Sequence, residues 1–445
     1  MEDVKLIEKL VVVAETPTIR RRLFLSNIDL TLVTYLETVS FIEKTSNDID
    51  FTDICRSLYR ALSRLLVSYD FLAGRADQGE NERFEIDCNG AGIVVVAATT
   101  SSELSQLGEL RGPKPEFKKL VSFLHDEEWT DLELKEKPLL LLQLTRFQCG
   151  GLALASLSNH CTLDGVAIRD FIANLASLTR GEDLIIHPNS DRTIFKARNP
   201  PRITHPHFEY SRPELSDISF SIRGSTSTTL LIKQPCLLKT TTTTTKLIYL
   251  SSDWISNLKT LALKDDELLN CTTFHVLAAK LWKAISIATQ LPDECISTVL
   301  FPVDIRRKIV PCAPEGFAGN GIIPGFARSN VNRIKTEKFS TLVEEVQKGV
   351  ERVDDEYVRS GIDWLEVNRG VPCRDNSFSV VVWSRLGLEG EDFGWGRIKF
   401  VVPIEVKPGL VFVLPGDKGD QGGINICLEL PSAQMEEFYK LMMED

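Results

Sequence analysis

The stretch LALASLSNHCTLDGVAIRDFIANLASL, residues 152–178, sets an imidazole, His160, four residues before a carboxylate, Asp164. Imidazole can accept and return a proton near neutral pH, and a nearby carboxylate can orient it or balance its charge. Residues 152–159 are small and apolar on both parities, the pattern of a strand buried on both faces. After Gly165, Ile168, Phe171, Ile172, Leu175 and Leu178 recur at helical spacing until Gly181 ends the run. His160 is therefore expected where a strand ends and a turn leads into a helix. Two readings stay open on these residues alone. His160 is a catalytic base partnered by Asp164, or it is a core histidine beside an aspartate that caps the helix. With six histidines in the chain, an aspartate four residues after one of them arises by chance about one time in three.

Other chemistries find less support. The chain has no G-x-S-x-G elbow and no G-x-x-x-x-G-K-[ST] loop. GNGIIPG at 319–325 has the wrong spacing for a dinucleotide fingerprint. Ten cysteines are scattered without a C-x-x-C pair, which removes zinc and thioredoxin-type readings. HPH at 205–207 has no carboxylate at ligand spacing and reads as a loop, so no metal is expected. DFGWG, residues 392–396, sets two glycines around a tryptophan. Glycine permits positive φ or close backbone approach, and Trp395 supplies a large anchor, so a structural turn is expected there.

The elements that position these residues follow from pattern. At 445 residues the chain exceeds one typical core. Its composition, 43% hydrophobic and 25% charged, is that of a soluble globular protein. A net charge of -11 argues against nucleic acid or an anionic membrane as the main partner. The first residues lack the profile of a signal peptide, and PLLLLQL at 138–144 is too short to span a membrane, so a cytoplasmic protein is expected. Helical spacing is clear in Ile54, Leu58, Leu62 and Leu65, after a cap expected at Thr52. It returns in Leu342, Val346, Val350 and Val353, and in Met435, Phe438 and Met442. Strand-like runs lie at 92–98, 246–250, 378–383 and 398–406. Interleaved helices and strands favour layered α/β domains. Residues 187–213, rich in Pro, Arg, His and Asn, read as a linker, and the threonine run 240–245 as an exposed loop.

Several segments together resemble a known family. H-x-x-x-D-G at His160, Asp164 and Gly165, with DFGWG at Asp392, Phe393, Gly394, Trp395 and Gly396, resembles the BAHD acyltransferases, plant enzymes that move an acyl group from coenzyme A to alcohols or amines. PTIRRRLFLSNIDL at 17–30 is similar to the family's opening strand region. DRTIFKARNPP at 191–201 is similar to its D-R-x-x-L-x-x-R-x-P-P segment, with Phe195 in the leucine place. VDIRRKIVPCAPEGFAGNGI at 303–322 resembles its V-D-x-R and G-Y-x-G-N segments, with Cys312 for a proline and Phe317 for the tyrosine.

The resemblance implies a fold of two similar-sized α/β domains, here 1–186 and 226–445, joined by a long crossover over 187–225, with a central tunnel. It implies His160 as general base, no covalent acyl-enzyme, no permanently bound cofactor, and acyl-CoA as co-substrate. Asp164 is then a structural residue paired with Arg306 and followed by Gly165, and DFGWG supports the coenzyme A end. Trp383 and Arg385, in VVWSRLG, fall near the implied acyl or acceptor pocket. Arg385 stands where relatives acting on shikimate or quinate hold a carboxylate, and Gly387 replaces their proline. A monomeric O-acyltransferase with a hydroxycinnamoyl-like donor and a small alcohol acceptor is expected. N-acylation of an amine, or a non-catalytic accessory role in fatty-acyl elongation, are the alternatives. A condensation domain of peptide synthesis shares the fold, but its motif begins with a histidine where this chain has Asn159.

Overall fold

The computed structural model describes residues 3–44, 49–79, 83–125, 129, 131–212, 242–264, 268–416 and 422–444. Cys236, Thr240, Thr241 and the 213–225 part of the expected linker lie outside the described residues.

Two mixed six-stranded sheets organise the chain. The first runs, edge to edge, Lys5–Val12, Ile93–Thr99, Leu140–Arg146, Leu152–Asn159, Tyr35–Lys44 and Gly396–Pro403. The second runs Thr243–Leu250, Ile424–Pro431, Leu410–Pro415, Ser377–Val382, Ile296–Asp304 and Ile322–Asn330. Most neighbours are antiparallel, with one parallel pair in the first sheet and two in the second. Each sheet carries its own hydrophobic core and its own helices, which makes the molecule a layered α/β protein. Among the described residues no helix is long and apolar enough to cross a membrane.

Local sequence accounts for these elements. In the helix Phe51–Ser68, Phe51, Ile54, Leu58, Leu62 and Leu65 form one buried stripe. Fully burying each such side chain contributes about 1.5–3 kcal/mol, far more than the helix propensity of any residue in it. Its cap is Asp50 rather than Thr52, because the Asp50 carboxylate accepts from the Thr52 N–H at 2.8 Å. The helix Gly165–Thr179 packs against it, and Gly181 follows at φ +83°. From Thr243 onward the threonine run is strand rather than loop. Thr243 to Thr245 open the strand Thr243–Leu250 and pair with Pro431, Leu430 and Glu429. β-Branched side chains suit a pleated edge strand as well as they suit a loop.

The two halves of the chain exchange a segment. The strand Gly396–Pro403, late in the chain, closes the first sheet against Tyr35–Lys44. Phe393, Trp395 and Ile398 accordingly belong to the first core.

Residues 198–210 are pinned to the helix Asp355–Asn368. Asp363, buried, accepts from the Arg198 N–H, from Arg198 Nε at 2.6 Å and from the Arg202 N–H. Tyr210 stacks on Trp364 at 5.7 Å, and Ser211 pairs with Val371. Within this segment Ser360, His207 and Glu209 line up as Ser–His–carboxylate: Ser360 Oγ to His207 Nε2 at 2.9 Å, His207 Nδ1 to Glu209 Oε1 at 2.7 Å. The Ser360 oxygen already accepts the N–H groups of Thr204 and His205, so its own proton goes to His207. All three are buried, and the arrangement is a latch without a free nucleophile. Removing the pin should be costly. Asp363→Ala is expected to lower the unfolding free energy by roughly 3 kcal/mol, the low end for one partner of a buried pair, since Arg198 keeps Glu356 and some solvent. Urea denaturation checks this, and an unchanged midpoint would contradict it.

Candidate active site

His160 begins where the strand Leu152–Asn159 ends, and its N–H donates to Thr34 O at 2.8 Å. The turn closes through Thr162 N–H to Asn159 O at 3.1 Å, and Asn159 Oδ1 accepts from the Cys161 N–H. Asp164 caps the helix Gly165–Thr179, accepting from the Ala167 N–H at 3.0 Å. Both open readings of Asp164 thereby resolve into geometry. It is a cap, and it makes no hydrogen bond to His160.

The rest of the Asp164 carboxylate faces the second half of the chain. Arg306 Nη1 and Nη2 donate to its two oxygens at 2.9 and 2.8 Å, and the Gly321 N–H donates at 2.9 Å. The side chain is wholly buried and takes four donors in all. Burial alone would depress the Arg306 pKa, but Asp164, seconded by Asp304, outweighs it and raises it. Such a bidentate pair fixes orientation as well as charge.

His160 finds its partner in Asn320, a residue that periodicity and spacing left unassigned. Nδ1 of His160 lies 3.2 Å from Asn320 Oδ1. The amide cannot be the other way round, because Asn320 Nδ2 donates to Asp29 Oδ1 at 2.8 Å and to His160 O at 2.9 Å, both pure acceptors when Asp29 is ionised. Nδ1 must then carry the proton, and Nε2 keeps its lone pair. Asp29 is itself buried and held by the Ser26 N–H and hydroxyl at 2.8 and 2.7 Å, with Arg192 Nη1 at 3.4 Å. Arg192, also buried, donates to Cys161 O and Thr162 O, which returns the chain of contacts to the His160 turn. Asp29, Arg192 and Asn320 all sit in segments that resemble family strings, but no sequence pattern gave any of the three a role. Their sequence separations, 160 residues for His160–Asn320 and 291 for Asn320–Asp29, leave no local signal.

The other expected residues are dispersed. Gly165 is the first residue of its helix, and a Cβ there would stand 2.7 Å from Leu386 Cδ1. Trp383 is half-buried against Phe412, ring centroids 5.0 Å apart, and lines an open cleft with Ser384, Leu388, Glu389 and Val401. Arg385 is exposed and outside that lining. DFGWG makes no hydrogen bond to His160. Phe393 and Trp395 pack 4.8 Å apart in the first core, Gly396 opens the closing strand, and Asp392 accepts from the Gly394 N–H and from Arg397. In the strand leading to His160, Ser156 and Ser158 are half-exposed between buried neighbours, and Ser156 Oγ meets Thr38 Oγ1 at 2.7 Å. Among the described residues no group of three or more His, Cys, Asp or Glu side chains could hold a metal ion.

Known proteins share this architecture and sequence. The family model described as the transferase family matches residues 2–445. Acyltransferase GLAUCE of Arabidopsis thaliana is 33% identical, over 98% of this chain and 95% of its own. Omega-hydroxypalmitate O-feruloyl transferase of the same plant is 30% identical, over 98% and 92%. The hydroxycinnamoyltransferase of Narcissus pseudonarcissus is 32% identical, over 96% of each. In fold the chain is similar to vinorine synthase, with a TM-score of 0.74 at 20% identity, covering 98% of this chain and 96% of that one. By the full-length family match and by these relatives, the chain belongs to the BAHD family of acyl-CoA-dependent acyltransferases.

Proposed function

We propose that this acyltransferase moves an aromatic, hydroxycinnamoyl-type acyl group from its coenzyme A thioester to the hydroxyl of a small-molecule acceptor, with His160 as general base. The observation that carries this reading is the oriented imidazole: Asn320 Oδ1 accepts a hydrogen bond from Nδ1–H, which leaves Nε2 able to accept a proton. The donor class follows the relatives, whose names specify feruloyl and hydroxycinnamoyl transfer.

His160 Nε2 takes the acceptor's hydroxyl proton as its oxygen attacks the thioester carbonyl. The tetrahedral oxyanion collapses, the C–S bond breaks, and the imidazolium returns its proton to the coenzyme A thiolate. Ester and free thiol result, with no group left on the protein. The thioester is already activated, so holding both substrates against His160 supplies much of the rate through orientation. We place them in a tunnel between the two sheets, since residues from both halves assemble around His160. The Asp164–Arg306 pair acts as scaffold.

The acceptor is the open choice, and the relatives frame it. One is named for an ω-hydroxy fatty acid and another for a fatty alcohol, both primary alcohols. A third, 30% identical over 97% of this chain, is named as an N-hydroxycinnamoyltransferase, and the same base serves an amine. A panel of feruloyl-, caffeoyl- and coumaroyl-CoA against fatty alcohols, ω-hydroxy acids, shikimate and aryl amines, read by mass spectrometry, decides among them. No product from any pair would sink the enzyme reading in favour of an accessory role.

His160→Ala should lose at least about 10²-fold in turnover, the low end for a general base, with an unchanged melting profile. Asn320→Ala should lose about 10²-fold in kcat while KM stays near wild type, because it misorients the base without touching the acceptor. Retention of wild-type kcat by either variant would contradict the assignment. Asp164→Ala should behave differently, losing on the order of 3–5 kcal/mol of stability by stranding Arg306. A stable but inactive Asp164→Ala would move Asp164 from scaffold to chemistry.

A further inference from the structure

The helix Gly165–Thr179 has the His160 turn at one end and Arg180 at the other, and residues 386–394 touch it at both ends. At its start, Leu386 packs where a Gly165 side chain would be. One turn on, Gly387 stands so that a Cβ would lie 3.7 Å from Arg169 Cδ. At its end, Arg180 Nη1 donates to the Asp392 carbonyl, and a Cβ on Gly394 would meet Arg180 Cγ at 3.3 Å. Gly394 sits at φ +81°, so a side chain there would be strained by the backbone as well as crowded by Arg180. From residue 165 to 180 a helix rises about 22 Å, so the segment 386–394 bridges the two ends of the helix. It also forms a wall of the cleft through Leu388 and Glu389.

We propose that Arg180 is a positioning residue: by tying the DFGWG turn to the far end of this helix, it makes helix and strap one rigid unit that sets the His160 turn and the cleft wall in register. The inference rests on His160 acting as the base. Arg180 bonds to Glu182 and to the Asp392 carbonyl, at the far end of the helix from His160. Its effect reaches the imidazole through Asp164, Gly321 and Asn320, which are consecutive links in the contacts described above.

The test compares wild type, Arg180→Ala, Arg180→Lys and, as a control at the same helix end, Glu182→Ala, which removes an ion-pair partner of Arg180 but not the Asp392 contact. Expected for Arg180→Ala is a kcat lower by about tenfold to a hundredfold, KM for both substrates within about twofold, and a displaced acid limb in the pH profile of kcat. Arg180→Lys keeps a donor for the Asp392 carbonyl and should regain part of the loss. Glu182→Ala should stay within about twofold of wild type. A folded Arg180→Ala with wild-type kcat overturns the proposal. So does a loss that tracks the melting temperature, leaves the pH profile in place and appears equally in Glu182→Ala. If Arg180→Ala does not fold, Arg180→Lys and Arg180→Gln carry the comparison, and wild-type kcat and pH profile in both overturn it. An inactive wild type, or an active His160→Ala, would instead remove the general-base reading itself.

Discussion

A carboxylate buried as completely as Asp164 is tolerable only when every lone pair is used, and that constraint shapes the region around it. Its partners come from three places: the first turn of its own helix, the Arg306 guanidinium and the Gly321 backbone. Satisfying it therefore fixes the end of one sheet against the loop that precedes the last strand of the other. Asn320 lies in that loop, and beside the held Gly321 it reaches both His160 and Asp29. The surroundings of His160 are thus assembled by contacts between the halves as well as by its own sheet.

Histidine and carboxylate do different work here than their spacing suggests. Asp164 orients nothing on His160 directly. An amide does, and an amide keeps its proton inventory across the pH range where an imidazole titrates. A neutral acceptor on Nδ1 fixes the tautomer without the added basicity that a carboxylate would lend. The buried Ser360–His207–Glu209 set makes the opposite point. It has the residue types of a hydrolytic triad at hydrogen-bond distances, yet its serine oxygen is filled by two backbone N–H groups and all three side chains are buried. Geometry with spare valence makes a site, and geometry without it makes a clamp.

Much of this was legible in the chain. Helical stripes such as Ile54, Leu58, Leu62 and Leu65 report burial on one face, and the structure buries that face. The strand–turn–helix around His160 was readable because apolar parity changes to helical spacing within a few residues. What stayed hidden has a common cause. Asn320 and Asp29 act at separations of 160 and 291 residues, and no local period records them. The return of the strand Gly396–Pro403 to the first sheet is invisible for the same reason. Two local features misled because their chemistry is ambiguous: threonines at 243–245 serve a strand as readily as a loop, and Asp50 and Thr52 both cap well.

The central claim is that Asn320 holds His160 in the Nδ1–H tautomer with Nε2 free to accept a proton. Nitrogen-15 NMR of histidine-labelled protein, with the His160 signals assigned by their loss in His160→Ala, reads this directly. The account predicts a protonated Nδ1 and an unprotonated Nε2 at neutral pH in wild type, and loss of that preference in Asn320→Ala. A His160 protonated at Nε2 in the wild-type resting state would contradict it.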